Sequence, residues 1–455
     1  MKIDCLVAEI GSTTTVVNAF DNLDNSPRFL GSGFSPTTVL KGDVTIGLNK
    51  AIENLKKQLN VTELIAKETF ASSSAAGGLK MSVHGLVYEM TVKAAKEAAL
   101  GAGANIKMIT SGILDEYQIE EIKSTPLNII MISGGVDYGE RKTSIENAKK
   151  IAELKLNIPI IYAGNIQNQN IVKKIFADNN QSRFLYISKN VYPKIDELQV
   201  DEARKIIQEV FEEHIIHAPG MERVTSIINE AIIPTPGAVM EASILLQKEI
   251  GDLVTIDIGG ATTDIHSVTF GSEKIDKILI SPEPFSKRTV EGDLGVYINK
   301  DNIINLATKE RLMKDLKLDE DDLDNLLKNY QPIPDKEQLP LTEYLSLVAL
   351  KEAIERHAGK LVNQYTASGK MTYAEGKDLT NVKYIIATGG ALTRLPGRFD
   401  IIKQVLNHKN SLLLTPNKNS QILIDEFYIM ASLGVLSKKH PKAALKLLKQ
   451  SLGIR

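Results

Sequence analysis

The stretch Asp257-Ile258-Gly259-Gly260-Ala261-Thr262-Thr263-Asp264 decides how the rest of this chain is read. An apolar run from Leu253 to Ile256 leads into it and Ile265-His266-Ser267-Val268 leads away, a pattern of strand, small-residue turn, strand. Two glycines let a backbone approach a phosphate closely, and two threonines offer hydroxyls to its oxygens. The flanking carboxylates suit a metal ion and an oriented water. Because Asp-x-Gly-Gly also closes ordinary hairpins, the stretch alone leaves a phosphate site and a plain turn equally open.

Working outward, the same device stands near the N-terminus. The run from Ile3 to Ile10, with Glu9 near its end, enters Gly11-Ser12-Thr13-Thr14-Thr15, and Val16 to Phe20 resumes a strand. A late strand, Val382 to Ala387, ends in Thr388-Gly389-Gly390-Ala391. Between these, residues 92–217 alternate strand and helix, which predicts a doubly wound parallel sheet. Its strand ends carry Ser133-Gly134-Gly135-Val136-Asp137 and Ala163-Gly164-Asn165, which suit either ligand binding or helix-entry turns. There is no Walker A loop, since Glu140 occupies the place that requires lysine. His214 and His217 share the last turn of a helix beginning at Asp201, but no third metal ligand is near in sequence. Further on, Lys277 to Ser281 reads as extended, residues 300–332 as charged helices, and Leu341 to Gln364 and Asp425 to Leu436 as helical.

Composition narrows the function classes. A chain of 455 residues exceeds one core, and a net charge of −2 argues against a nucleic-acid or acidic-membrane surface. Cys5 is the only cysteine, which excludes intrachain disulfides and multi-cysteine metal sites and fits a reducing compartment. The N-terminal residues read as a strand entering a turn rather than a secretory leader, and no apolar run reaches 18 residues. The expectation is a soluble, cytoplasmic protein.

The three elements, in this order, resemble the actin, Hsp70 and sugar kinase superfamily. Pro236-Gly237-Ala238-Val239 and Ala431-Ser432-Leu433-Gly434 match where that superfamily places its two connecting helices. The resemblance implies an α/β fold of two actin-like ATPase (ribonuclease H-like) domains with an inserted doubly wound parallel α/β subdomain. The implied boundaries are 1–91 and 218–250 for the first domain, 92–217 for the insert, and 251–455 for the second domain with a helical insertion at about 300–370. It also implies ATP and magnesium (Mg2+) as cofactors. The nucleotide would be held by Gly11, Ser12, Thr13, Thr14, Gly259, Gly260, Thr262, Thr263, Gly389, Gly390 and Ala391. Asp257, Glu9 and Asp264 would hold the metal, with Asp257 and Glu9 catalytic. Glu9 departs from the aspartate usual at its position, which makes Asp257 the stronger candidate for orienting the water.

A closer resemblance rests on Glu9 to Thr15, Ser73-Ser74-Ala75-Ala76-Gly77-Gly78-Leu79, Ser133 to Asp137, Ala163 to Asn165, Asn190-Val191-Tyr192-Pro193 and Arg288 to Gly295. These are similar to the glutamate mutase accessory protein family, MutL or GlmL, which is unrelated to the mismatch-repair protein sharing the name. What this implies is an ATP-driven, chaperone-like reactivating factor whose partner is an adenosylcobalamin-dependent mutase of the glutamate mutase or ornithine aminomutase type. A homo-oligomer is compatible with it. The cobalt-ligating Asp-x-His-x-x-Gly of such mutases is imitated only by Asp264-Ile265-His266-Ser267-Val268-Thr269, where threonine replaces glycine, so His266 reads as an ordinary strand residue. Two alternatives stay open: a small-molecule kinase with Asp137 as base, and an actin-like polymer subunit.

Overall fold

The computed structural model describes residues 1–11, 14–74, 79–215, 220–366, 369–408 and 410–454. The chain divides into two compact units. Unit 1 comprises residues 1–19, 30–238 and 281–287; unit 2 comprises 20–29, 239–280 and 288–455. No helix among the described residues is long and apolar enough to cross a membrane.

Unit 1 contains the strands β1 (Lys2–Ile10), β2 (Thr14–Asp21), β3 (Arg28–Pro36), β4 (Ile65–Ser73), β5 (Leu79–Gly85), β6 (Ala104–Ser111), β7 (Ile129–Ile132), β8 (Ile160–Tyr162), β9 (Leu185–Ile187) and β10 (Ile232–Pro234). They form two sheets, ordered β10-β4-β1-β2-β3 and β6-β5-β7-β8-β9. In the first, β4 runs parallel to β1 and β10 parallel to β4. Each neighbouring pair in the second sheet is parallel, and helices cover both of its faces. Burial on both faces explains why β7 and β8 are continuous apolar runs.

The second sheet begins before residue 92, because its inner strand is β5, Leu-Lys-Met-Ser-Val-His-Gly. That strand interrupts its apolar residues with Ser82 and His84, which is why the sequence does not announce it. Both ring nitrogens of buried His84 are satisfied, by Thr110 Oγ1 at 2.8 Å and Ser82 Oγ at 2.9 Å. Burial lowers its pKa to about 3, so the ring is neutral.

Unit 2 holds β11 (Leu253–Ile258), β12 (Thr263–Val268), β13 (Ser286–Glu291), a separate hairpin of β14 (Lys360–Thr366) and β15 (Gly369–Glu375), then β16 (Tyr384–Thr388) and β17 (Gln421–Ile424). Its main sheet is ordered β13-β12-β11-β16-β17. β12 is antiparallel to β11, while β16 and β17 continue parallel. Counting strands within each sheet in chain order, both this sheet and the first sheet of unit 1 have the order third, second, first, fourth, fifth. This is the ribonuclease H-like topology of actin-like ATPase domains, present twice, with a doubly wound α/β sheet added to unit 1.

Three local expectations are corrected. The segment 277–281 is not a strand: a short helix, Glu273–Asp276, precedes it, and only Leu279 is bridged, to Ala374. The helix expected through Gln364 is Leu339–His357, because the chain crosses Gly376 closely at Gly359 and pairs as β14. Helix onset near the C-terminus falls at Met430 rather than Asp425, whose carboxylate instead accepts the Ile429 and Met430 amides.

Candidate functional site

In unit 2, β11 and β12 pair Asp257 with Asp264 and Ile258 with Thr263, leaving residues 259–262 as the turn. The Gly259 amide closes it on Thr262 O at 2.9 Å. A second segment, 292–299, then grips the turn from one side. Val296 N donates to Gly259 O at 3.2 Å, and Tyr297 N and Ile298 N donate to Gly260 O at 3.0 and 2.8 Å. Asn299 Nδ2 donates to Ala261 O at 2.8 Å and to Gly292 O at 2.9 Å. Gly295 lies so close that a Cβ there would fall 2.2 Å from the Ala261 carbonyl carbon. In a trans peptide the N–H points opposite to its C=O. With the carbonyls of residues 259–261 turned into this clamp, the amides of Gly260, Ala261 and Thr262 face the other way. They bond to no other described residue. Successive amides presented in this way form an anion-binding nest.

The carboxylates around the turn differ sharply. Asp264 is buried, with Oδ1 taking Arg288 Nε and Nη2 at 3.1 and 2.7 Å and Oδ2 taking Thr262 Oγ1 at 2.9 Å. Both of its oxygens are therefore occupied within the protein. Asp257 is half-buried and its pKa is pushed up to about 7, first by burial and then by the negative charges of Asp264 and Asp425, against the pull of Arg288. Gly389, at φ +84°, packs on it so tightly that a Cβ would meet Asp257 Oδ1 at 2.4 Å. The Thr263 hydroxyl donates to Leu294 O at 2.7 Å, in the segment that clamps the turn. Gly389 opens a six-residue helix that includes Ala391, and Gly390 faces open space. His266 is fully buried, its ring nitrogens have no hydrogen-bond partner among the described residues, and burial followed by the charge of Arg288 holds it neutral.

Unit 1 repeats the closure: Gly11 N donates to Thr14 O at 3.0 Å, and Gly11 O accepts Thr37 Oγ1 at 2.9 Å. Ser12 and Thr13 lie outside the described residues, as do Ala75 to Gly78 and His217. Glu9 is buried beside this turn, and Asn18 Nδ2 reaches its Oε1 at 3.4 Å, with Ser32 Oγ supporting Asn18 Oδ1 at 2.6 Å. Among the described residues no group of three or more His, Cys, Asp or Glu side chains is gathered to hold a metal.

Across residues 5–452 the chain matches the family model described as MutL protein. It is 37% identical over 461 residues to "Protein MutL" of Clostridium tetanomorphum, covering 98% of each chain. The chain belongs to the MutL protein family. Among solved structures, acetone carboxylase in its nucleotide-free form matches with a TM-score of 0.42 at 11% identity, over 96% of this chain and 70% of that one. Diol dehydratase-reactivating factor, also nucleotide-free, matches with a TM-score of 0.37 at 10% identity, over 96% and 99%.

For this MutL family member the structure also gives roles to residues that the sequence shows only as a motif, and to others it does not single out. The motif Arg288 to Gly295 is part of the apparatus around the turn: Arg288 holds Asp264, and Gly295 admits the Ala261 backbone. Glu291 and Asp293 in turn hold Arg356 at 2.9 and 2.8 Å. Asn299 carried no motif signal. Asp425 was assigned to a helix, yet it is buried with Oδ2 accepting Thr388 Oγ1 at 3.0 Å. One signal was available, since Asp425 follows the apolar pair Leu423-Ile424 as Asp257 follows its own apolar run.

Proposed function

We propose that this protein is an ATP-binding and ATP-hydrolysing reactivating factor for an adenosylcobalamin-dependent mutase of the glutamate mutase or ornithine aminomutase type. One observation carries the nucleotide part: the 259–262 turn has its carbonyls clamped and three consecutive amides turned outward. In this reading the amides of Gly260, Ala261 and Thr262 receive phosphate oxygens, and Asp257 orients the attacking water. The matching closure at Gly11 supports the same use of the first hairpin. A magnesium ion would neutralise the triphosphate, and Asp257 is the fitting carboxylate, since the Asp264 oxygens are engaged by Arg288 and Thr262. Arg288 then serves to hold Asp264 and the hairpin in place.

Membership of the MutL family supports the accessory role. The kinase alternative loses support because Asp137, its suggested base, is engaged through Oδ1 by Ile166 N and Asn190 Nδ2, both at 2.9 Å, as a tie between loops. The test is phosphate release from ATP by the purified protein, with and without the purified mutase of the same cell. Release that the mutase stimulates, with no phosphorylated metabolite formed, is expected; a phosphorylated small-molecule product would contradict the proposal.

A further inference from the structure

Among the described residues, the exposed large apolar side chains of the parallel sheet β5–β9 of unit 1 lie on the segments that follow its strands. Val87 and Tyr88 follow β5, Ile113 and Tyr117 follow β6, Tyr138 follows β7, Ile166 and Ile171 follow β8 and Ile195 follows β9. Tyr117 is 88% exposed, Tyr138 77% and Ile195 69%. Among the described residues, the loops at the opposite end of these strands expose none. Scattered exposed apolar residues need no explanation, but a set gathered on consecutive strand-end loops does.

These loops are also tied into one platform. Asp137 Oδ1 accepts Ile166 N and Asn190 Nδ2, and Asp137 N donates to Pro193 O at 2.8 Å, joining the loops after β7, β8 and β9. Asn165 Oδ1 accepts Tyr138 N at 3.3 Å, and its Nδ2 donates to Glu140 O at 3.2 Å. Tyr138 sits at φ +65°, a left-handed conformation that a bulky residue adopts only under constraint, and its ring is nevertheless turned to solvent. Rigid, preorganised aromatic anchors are what protein interfaces concentrate.

The rim of the platform is acidic. Glu89, Asp115, Glu116 and Asp196 are exposed and have no paired cation among the described residues, whereas Lys189 and Lys194 are paired with Glu202 and Glu197. Arg141 and Lys142 leave the balance negative. Like charges around a two-fold axis would oppose self-association, while a partner with lysines and arginines around apolar hollows is complementary.

We infer that this strand-end platform is the docking surface for a basic-rimmed protein, which we identify with the mutase; that identity rests on the function proposed above. Binding of the purified mutase of the same cell to the full-length protein tests it, by calorimetry at low and high salt. The variants are Tyr117→Ser/Tyr138→Asn/Ile195→Ser, in which asparagine tolerates the left-handed backbone, and Glu89→Lys/Glu116→Lys. The apolar triple variant should weaken binding by about 30-fold or more with ATP binding and melting temperature unchanged. The charge variant should weaken it at low salt and much less at high salt. Equal affinity of the triple variant and the wild type would overturn the surface while leaving the accessory role standing. Absence of any wild-type binding to the mutase would overturn both. A wild-type dimer that the triple variant dissolves, seen by light scattering, would assign the platform to a second copy and overturn the inference.

Discussion

Asp257 and Asp264 show how environment divides two carboxylates that face each other across a strand pair. Asp264 is fixed by Arg288 and Thr262, whereas Asp257 has no such partner among the described residues and is pushed up to about 7 by burial and neighbouring acids. A carboxyl raised above its unfolded value of about 3.8 contributes stability at low pH that is lost as pH rises through about 7. The wild-type melting temperature should therefore fall relative to that of Asp257→Asn between pH 4 and 8, measured by calorimetry without nucleotide. A constant difference across that range would refute the assigned environment. Gly389→Ala is the second residue-scale test, since its Cβ would lie 2.4 Å from Asp257 Oδ1 and the backbone is left-handed there. A loss of about 1–3 kcal/mol in denaturant unfolding is expected, together with weaker ATP binding. The acid and glycine positions were legible in sequence because the backbone demands them. Arg288 was legible only as a motif without a role, since its partner lies 24 residues away.

At the scale of the element, the turn owes its shape to a segment that sequence alone does not connect to it. Strand, turn and strand can be read from alternation and small residues, but the 292–299 clamp is a tertiary contact carried mostly by backbone atoms. Asn299 supplies a side-chain tie to the turn itself, bridging Ala261 O and Gly292 O. Asn299→Ala should cost about 1–3 kcal/mol and weaken ATP binding by about tenfold, read by calorimetry, because the freed carbonyls no longer fix the amides. Unchanged affinity would mean the nest is not the phosphate site. Strand β5 eluded the pattern for a related reason: His84 and Ser82 look polar in sequence but satisfy one another in the core.

At the scale of the whole molecule, the order of motifs announced two actin-like domains, and the repeated strand order carries that reading into the structure. Where the chain re-enters unit 1 at 281–287 was not legible, because ion pairs between distant residues hold it. Glu283 receives Lys93 at 2.5 Å and Lys287 at 2.7 Å, and it is nearly inaccessible to solvent. Glu283→Gln would leave Lys93 without its paired carboxylate and Lys287 with Glu97 alone, and should destabilise the protein by roughly 3–5 kcal/mol in denaturant unfolding. Little change would show that the segment is held by other contacts. The central claim is that the hairpin at Asp257 binds and hydrolyses ATP, and single-turnover phosphate release by the wild type and Asp257→Asn tests it most directly. The account predicts that the variant binds ATP to within a few-fold of the wild type yet releases phosphate about 100-fold more slowly or worse. Wild-type turnover by the variant would contradict it.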